Sequence, residues 1–251
     1  MTRIFDCFLY MNEVECLEMR LAELGGVVDG FVMVESETTF SGKPKPIRGP
    51  IPGICHVQYG MPSSQDPWDR ERHQRNAIMD GLNRLGAEDG DIATVCDADE
   101  IVSEEGIRAL IDKKLPVVFQ ARFTYYYVNA INHERQLSPM AATVGWLRSH
   151  SPDQLRVIRH SIPVAPEVAW HMSFLGGPDR ILKKIDCNSH QELNNQSREH
   201  IDRCLKDGVA FHTGQKLTLV PIDNLRMPRG FDKDKYRHLI YEASAKEAPG
   251  P

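Results

Sequence analysis

The chain has no basic excess, no C-x-x-C pair, no apolar run of membrane-spanning length and no internal repeat. With 35 acidic against 30 basic residues the net charge is −5, which leaves no electrostatic footprint for nucleic acid. An acidic nucleotide ligand would need a metal ion or a few arginines. The six cysteines, Cys7, Cys16, Cys55, Cys96, Cys187 and Cys204, are scattered and several sit in apolar contexts. That spacing excludes zinc held by cysteines and reads as reduced core thiols of a cytoplasmic protein. The first residues lack the basic-then-apolar pattern of a signal peptide, and no transmembrane segment is expected. Residues 8–13 contain no glycine, against the Gly-rich phosphate loop a nucleotidyltransferase would place there.

What is present is ordinary globular composition, 41% hydrophobic and 26% charged over 251 residues, enough for one large α/β core. Residues 3–10 (RIFDCFLY) predict a first strand, and Val14, Leu17, Leu21 and Leu24 recur at helical spacing after Asn12, a plausible cap. Residues 31–35 predict a second strand ending on Glu35. Residues 38–52, rich in proline and glycine, predict an irregular loop, and 54–59 a third strand. Asp66-Pro67 opens a helix predicted to reach Leu85, and Ser103 with Glu104 and Glu105 opens another. Beyond that, strands are expected at 117–129, 142–147 and 168–174, with helices after Ser151-Pro152, near 180–185 and at 197–205.

The apolar run 92–96 ends on Asp97-Ala98-Asp99-Glu100. Carboxylates at the tip of a buried strand must be solvated, paired or bound to metal. Two aspartates one residue apart suit a hard divalent cation with positions left open for a diphosphate. A capped helix or a solvated turn would use the same residues. Alternating strands and helices place ligands at the carboxyl ends of a parallel sheet, where Asn12-Glu13, Glu35 and Asp97-Asp99 would converge.

Phe5-Asp6, Asn12-Glu13, Arg20-Leu21-Ala22-Glu23-Leu24 and Val27-Val28-Asp29 resemble glycosyltransferase family seventeen. So do Phe31-Val32, Val34-Glu35-Ser36, Gly42-Lys43-Pro44, Asp97-Ala98-Asp99-Glu100-Ile101 and Trp170-His171, in order from about residue 4 to about 194. The resemblance implies a single inverting GT-A domain, Rossmann-like, with a mixed central sheet. It also implies a UDP-sugar donor (UDP-N-acetylglucosamine in animal members), Mn²⁺ or Mg²⁺, and a glycan or glycolipid acceptor. The expected domain is 1–226, its donor half about 1–115 and its acceptor half about 116–226. Residues 227–251 form a surface or partly ordered tail.

On that reading Asp99 contacts the metal, while Asp97, with Ala98, reaches the ribose or a metal-bound water. Glu100 caps or supports the turn. Glu35 contacts uracil or ribose, and Asn12 and Glu13 hold the base, although capping explains Asn12 equally. Arg72 and Arg75 share a helix face; Arg75 reaches a phosphate or the Asp97 cluster. His171 is a metal or phosphate ligand, or a satisfied core histidine. His190 and His212 are weaker candidates. For the base that takes the acceptor proton, Asp179 after its glycine pair comes first and Glu192 second. The aromatics 123–127 and Trp146 would pack in the core or stack on sugar rings. The alternatives are a nucleotidyltransferase and a non-catalytic nucleotide-sugar-binding module.

Overall fold

Every side chain of the first strand, β1 (Ile4–Tyr10), is buried, as a central strand covered on both faces requires. A computed structural model of the chain describes residues 1–60 and 62–242. After β1 come α1 (Val14–Leu24), β2 (Gly30–Glu35) and β3 (Ile54–Gln58). The helix predicted as one piece to Leu85 is two, α2 (Pro67–Asn76) and α3 (Ile78–Arg84). They part at Ala77, whose amide meets the carbonyls of both His73 and Gln74. Asp66 caps α2 by accepting from the Trp68 amide at 3.0 Å. Gly81 brings α3 so close to β2 that a Cβ there would overlap the Val32 side chain.

Then follow β4 (Ile92–Asp97), β5 (Glu100–Val102) and α4 (Glu104–Ala109), which Ser103 caps through the Gly106 amide at 3.1 Å. β6 (Val117–Tyr125) ends earlier than the expected 129, because Tyr126 takes a left-handed conformation with φ 69°. After β7 (Ala130–Ile131), the strand expected at 142–147 lies earlier as β8 (Gln136–Thr143). Thr143 instead caps α5 (Val144–His150), accepting from the Trp146 amide at 3.1 Å. α6 (Pro152–Val157), β9 (Val164–Ser173), α7 (Pro178–Cys187), α8 (Arg198–Asp207) and β10 (Thr218–Leu219) complete the order.

The α/β class and the mixed central sheet are as expected. The sheet runs β10-β7-β6-β8-β4-β1-β2-β3, with β9 beside β6 and β5 beside β9. β4, β1, β2 and β3 are parallel, β8 is antiparallel to β4, and β5 is antiparallel to β9. One face packs against Leu17 and Leu24 of α1 and Ile107 of α4. The other packs against Ile78 and Leu82 of α3, Leu147 of α5 and Leu155 of α6. α7 and α8 cover Phe123, Tyr125 and Tyr126 through Ile181, Ile185 and Ile201.

All six cysteines are free, and Cys7, Cys16, Cys96 and Cys204 are buried. Among the described residues no helix is long and apolar enough to cross a membrane. The expected tail is more than a surface strand of chain. Tyr236 and Leu239 are buried, the Tyr236 hydroxyl donates to Glu18 at 2.7 Å, and the Val128 amide donates to the Leu239 carbonyl at 2.9 Å. Residues 243–251 of that tail lie outside the described residues.

Candidate active site

Asp97-Ala98-Asp99-Glu100 forms the turn from β4 into β5, at the carboxyl end of the parallel strands. Two devices hold its backbone. From β9, where His171 lies opposite Glu100, the Met172 amide donates to the Asp99 carbonyl at 2.9 Å. From α1, the fully buried Arg20 guanidinium donates to the Asp97 carbonyl at 3.0 Å and also to the Glu100 carbonyl. Arg20 is itself neutralised by Asp6 at 2.7 Å, and Asp6 accepts from the Thr94 hydroxyl at 2.6 Å.

A cavity of about 460 Å³ opens over this turn. Leu9, Tyr10 and Met11 border it at the end of β1, Thr38 to Phe40 and Lys45 on the irregular loop, and Trp68, Glu71 and Gln74 on α2. Phe123, Tyr125, Ser138, Arg156, Arg159, Phe174, Lys184 and Ser189 complete much of the far wall. The Tyr125 hydroxyl and His212 Nδ1 are 2.6 Å apart, and the Phe123 and His171 rings lie 5.0 Å apart.

The carboxylates of the turn have different surroundings. Asp97 lies 3.2 Å from Arg75 Nη2 and 3.3 Å from Arg156 Nη1, one arginine on each oxygen. Burial pushes its pKa up, but the guanidiniums of Arg156 and Arg75 outweigh this and hold it well below the ordinary range. Asp99 Oδ2 pairs with Lys184 and lies 3.9 Å from His171 Nε2. There too burial raises and the neighbouring cations lower, for a net depression. Glu100 goes the other way: burial, then the adjacent Asp97 charge, raise its pKa. One Glu100 oxygen accepts from the Asp97 amide at 2.9 Å, the supporting role expected of it.

Asp99 and His171 fit a hard divalent cation. The carboxylate keeps one oxygen outside the lysine pair, and His171 Nε2 lies 3.9 Å from the same carboxylate. Mg²⁺ and Mn²⁺ are held by one or two such donors when waters and substrate phosphates supply the rest. Asp97, engaged on both oxygens, does not fit as a direct ligand. Among the described residues no cluster of three or more His, Cys, Asp or Glu side chains could hold a metal by itself.

Of the residues singled out in the sequence, Glu13, Asp97, Ala98, Asp99, His171, Glu192, His190 and His212 line the cavity. Asn12 does not, and it caps nothing: the helix begins after Glu13, whose carboxylate accepts from the Met11 and Asn12 amides at 3.0 Å. Glu35 is buried beneath the irregular loop. It pairs with Lys45 at 2.7 Å, His56 at 3.2 Å and the Arg48 amide at 3.1 Å, so it anchors the loop rather than facing a ligand. Arg75 lies beneath Asp97, bridging it to Glu71 at 2.6 Å and Asp153 at 3.1 Å. Arg72 pairs on the surface with Asp69 at 2.6 Å.

Asp179 is also outside the cavity. Its side chain is 88% exposed and pairs with Arg198. Lys184, five residues on and so about 140° around the same helix, faces the cavity instead. Trp146 stacks on His150, 4.4 Å between rings, and does not border the cavity. Lys184, Arg156, Arg159 and Glu71 were not singled out. Lys184 stands among Lys183, Asp186 and Arg180 with nothing local to separate it from a solvated face. Only the Arg156–Arg159 spacing after the Ser151-Pro152 helix start offered a signal.

Residues 1–49 match glycosyltransferase family 17, so the resemblance carried by the motifs is found across the front of the fold. Over 121 residues, 42% of this chain, the sequence is 31% identical to the human β-1,4-mannosyl-glycoprotein 4-β-N-acetylglucosaminyltransferase. The Rattus norvegicus protein of that name also gives 31% over 121 residues and 42% of this chain. The matched stretch spans 23% of the human relative and 22% of the rat one, under a quarter of their length. Among solved structures, Rv0371c from Mycobacterium tuberculosis H37Rv superposes with a TM-score of 0.40 at 12% identity, covering 66% of this chain and 88% of that one.

Proposed function

We propose that this chain is an inverting glycosyltransferase that moves N-acetylglucosamine from UDP-N-acetylglucosamine to a hydroxyl of a glycan or glycolipid. The observation that carries the proposal is the Asp97–Glu100 turn at the carboxyl end of β4, opening on a cavity of about 460 Å³, in a chain similar to family 17. The donor sugar and the nucleotide rest on that similarity.

Asp99 and His171 would hold a Mn²⁺ or Mg²⁺, which supplies charge neutralisation and orientation for the departing diphosphate. The space between the end of β1 and the loop at Thr38 to Phe40 suits the nucleoside. Lys184, already on Asp99, can follow the negative charge that grows on the diphosphate as the glycosidic bond breaks. Arg75 and Arg156 keep Asp97 ionised and fixed, so the turn stays ordered while charge moves beside it.

The acceptor proton goes to Glu192. It borders the cavity, its Oε1 lies 2.6 Å from His190 Nδ1, and His190 in turn sits edge-on to Trp68 at 4.6 Å. This pair lowers the Glu192 pKa, so the group is an ionised acceptor at neutral pH. Phe123 and Phe174 offer apolar surface for a sugar ring.

UDP release from a panel of UDP-sugars, with and without Mn²⁺, tests the reading. Release that needs metal and is fastest with UDP-N-acetylglucosamine supports it. Faster turnover of another UDP-sugar removes the donor assignment. A UDP-sugar that binds without being cleaved to UDP removes the activity in favour of a binding module.

A further inference from the structure

Four basic side chains, Lys45, Arg156, Arg159 and Lys184, line the cavity. Three are matched by carboxylates: Lys45 by Glu35 at 2.7 Å, Arg156 by Asp97 at 3.3 Å, and Lys184 by Asp99. Arg159 differs. Among the described residues its guanidinium makes one hydrogen bond, Nη1 to the Arg156 carbonyl at 3.2 Å, and reaches no carboxylate within ion-pair distance. A guanidinium carries five N–H donors in a planar fork, so most of this group's capacity is unspent.

The neighbouring wall carries a second unspent group. Ser138 on β8 is 3% exposed and borders the same cavity, yet its Oγ has no hydrogen-bond partner. α6, which ends two residues before Arg159, packs against β8, and both groups border the one cavity. A buried hydroxyl without a partner is destabilising unless a ligand satisfies it.

We infer that Arg159 and Ser138 form an anion subsite that receives a carboxylate or phosphoryl group on the acceptor. The inference rests on the glycosyltransferase reading and deepens it, by giving the acceptor a charge. Prior commitment of the other cations separates this subsite from the diphosphate. Arg156 is already on Asp97 and Lys184 on Asp99, whereas Arg159 is committed to neither carboxylate of the turn. Electrostatics agrees with the geometry. Burial and the adjacent Arg156 charge both disfavour the Arg159 cation, and a bound anion relieves both. A planar carboxylate or a phosphoryl group matches the fork bidentately, while a neutral hydroxyl uses only part of it.

The experiment compares paired acceptors with UDP-N-acetylglucosamine as donor: 4-nitrophenyl β-glucuronide against the β-glucoside, and mannose 6-phosphate against mannose. Wild type is expected to favour the charged member of at least one pair by about tenfold or more in kcat/KM, the size of a hydrogen bond to a charged group. Arg159→Gln should erase that preference by slowing the charged acceptor alone, with UDP affinity and acceptor-free hydrolysis of the donor unchanged. Ser138→Ala should reduce it less. Equal use of charged and neutral acceptors by wild type overturns the inference. So does a loss of UDP affinity in Arg159→Gln, which assigns the arginine to the donor diphosphate.

Failure of the underlying reading looks different: wild type then releases UDP from no UDP-sugar, with or without acceptor. Inorganic phosphate titrated against wild type and Arg159→Gln then tests the subsite alone, and equal binding to both overturns it.

Discussion

Arg20 donates to the carbonyls of Asp97 and Glu100 from beneath, while Asp6 neutralises it at 2.7 Å with both side chains fully buried. The acidic turn is thus held by a cation that never meets solvent or ligand. Arg20→Met would leave Asp6 as an uncompensated buried charge and free two carbonyls. The expected loss is about 3–5 kcal/mol of stability. Urea unfolding of the variant measures it, and a loss under about 1 kcal/mol, the range of exposed pairs, would contradict the burial argument.

Asp99 and Lys184 make a second testable pair. Asp99→Asn keeps the size of the side chain but removes the charge, so Mn²⁺-dependent UDP binding should largely disappear while the melting curve stays cooperative. Lys184→Met should act oppositely on the metal alone: with its competitor for Asp99 gone, Mn²⁺ should bind more tightly, yet sugar transfer should slow. Calorimetry with Mn²⁺, then with UDP, separates these effects. Weaker Mn²⁺ binding in Lys184→Met would show that the lysine supports the metal site rather than competing for it.

Glu192→Gln is expected to lower transfer by roughly two to four orders of magnitude while UDP affinity persists, the usual contribution of a general base. Asp179→Asn should transfer at close to the wild-type rate, because its carboxylate faces solvent and Arg198. Single-turnover rates on both variants decide the assignment. A dead Asp179→Asn with an active Glu192→Gln would reverse it.

Glu15 on α1 accepts from Arg180 of α7 at 2.7 Å and 2.8 Å and pairs with His238 at 3.2 Å. Burial opposes ionisation, but these partners hold the carboxyl at about 2 rather than the ordinary 4.5. A depressed acid contributes stability that is present above the unfolded value and lost as pH falls through the folded one. Stability should therefore drop between about 4.5 and about 2, and Glu15→Gln should remove part of that slope. Unfolding midpoints above, within and below the window measure it. An identical slope in the variant would assign the acid sensitivity to other carboxylates.

The sequence exposed what depends on local pattern. The β-branched run before Asp97 announced a strand end, and Asp66-Pro67 and Ser103 announced helix starts that the structure contains. It misled wherever a carboxylate's partner lies far along the chain. Glu35 ends its strand as expected, but Lys45 and Arg48 fold back and enclose it. Asp179 begins its helix as expected, yet which residue of that helix turns inward depends on how Ile181 and Ile185 seat against the aromatics of β6. Lys184 was invisible for the same reason. Its partner, Asp99, is 85 positions away, and no local pattern carries such a pairing.

The pairing of β5 with β9 bears on how the chain comes apart. The Ser103 amide is bonded to the Val168 carbonyl and the Met172 amide to the Asp99 carbonyl, each at 2.9 Å. These bonds stitch the first hundred residues to strands that arrive some seventy positions later. A fragment ending near residue 115 would keep the β1, β2 and β4 ladder but lose the neighbour that shapes the acidic turn. The two halves are therefore expected to open together. In native-state hydrogen exchange, the Ser103 and Met172 amides should exchange only through the same global opening that exposes Val32 and Val95 in the middle of the sheet.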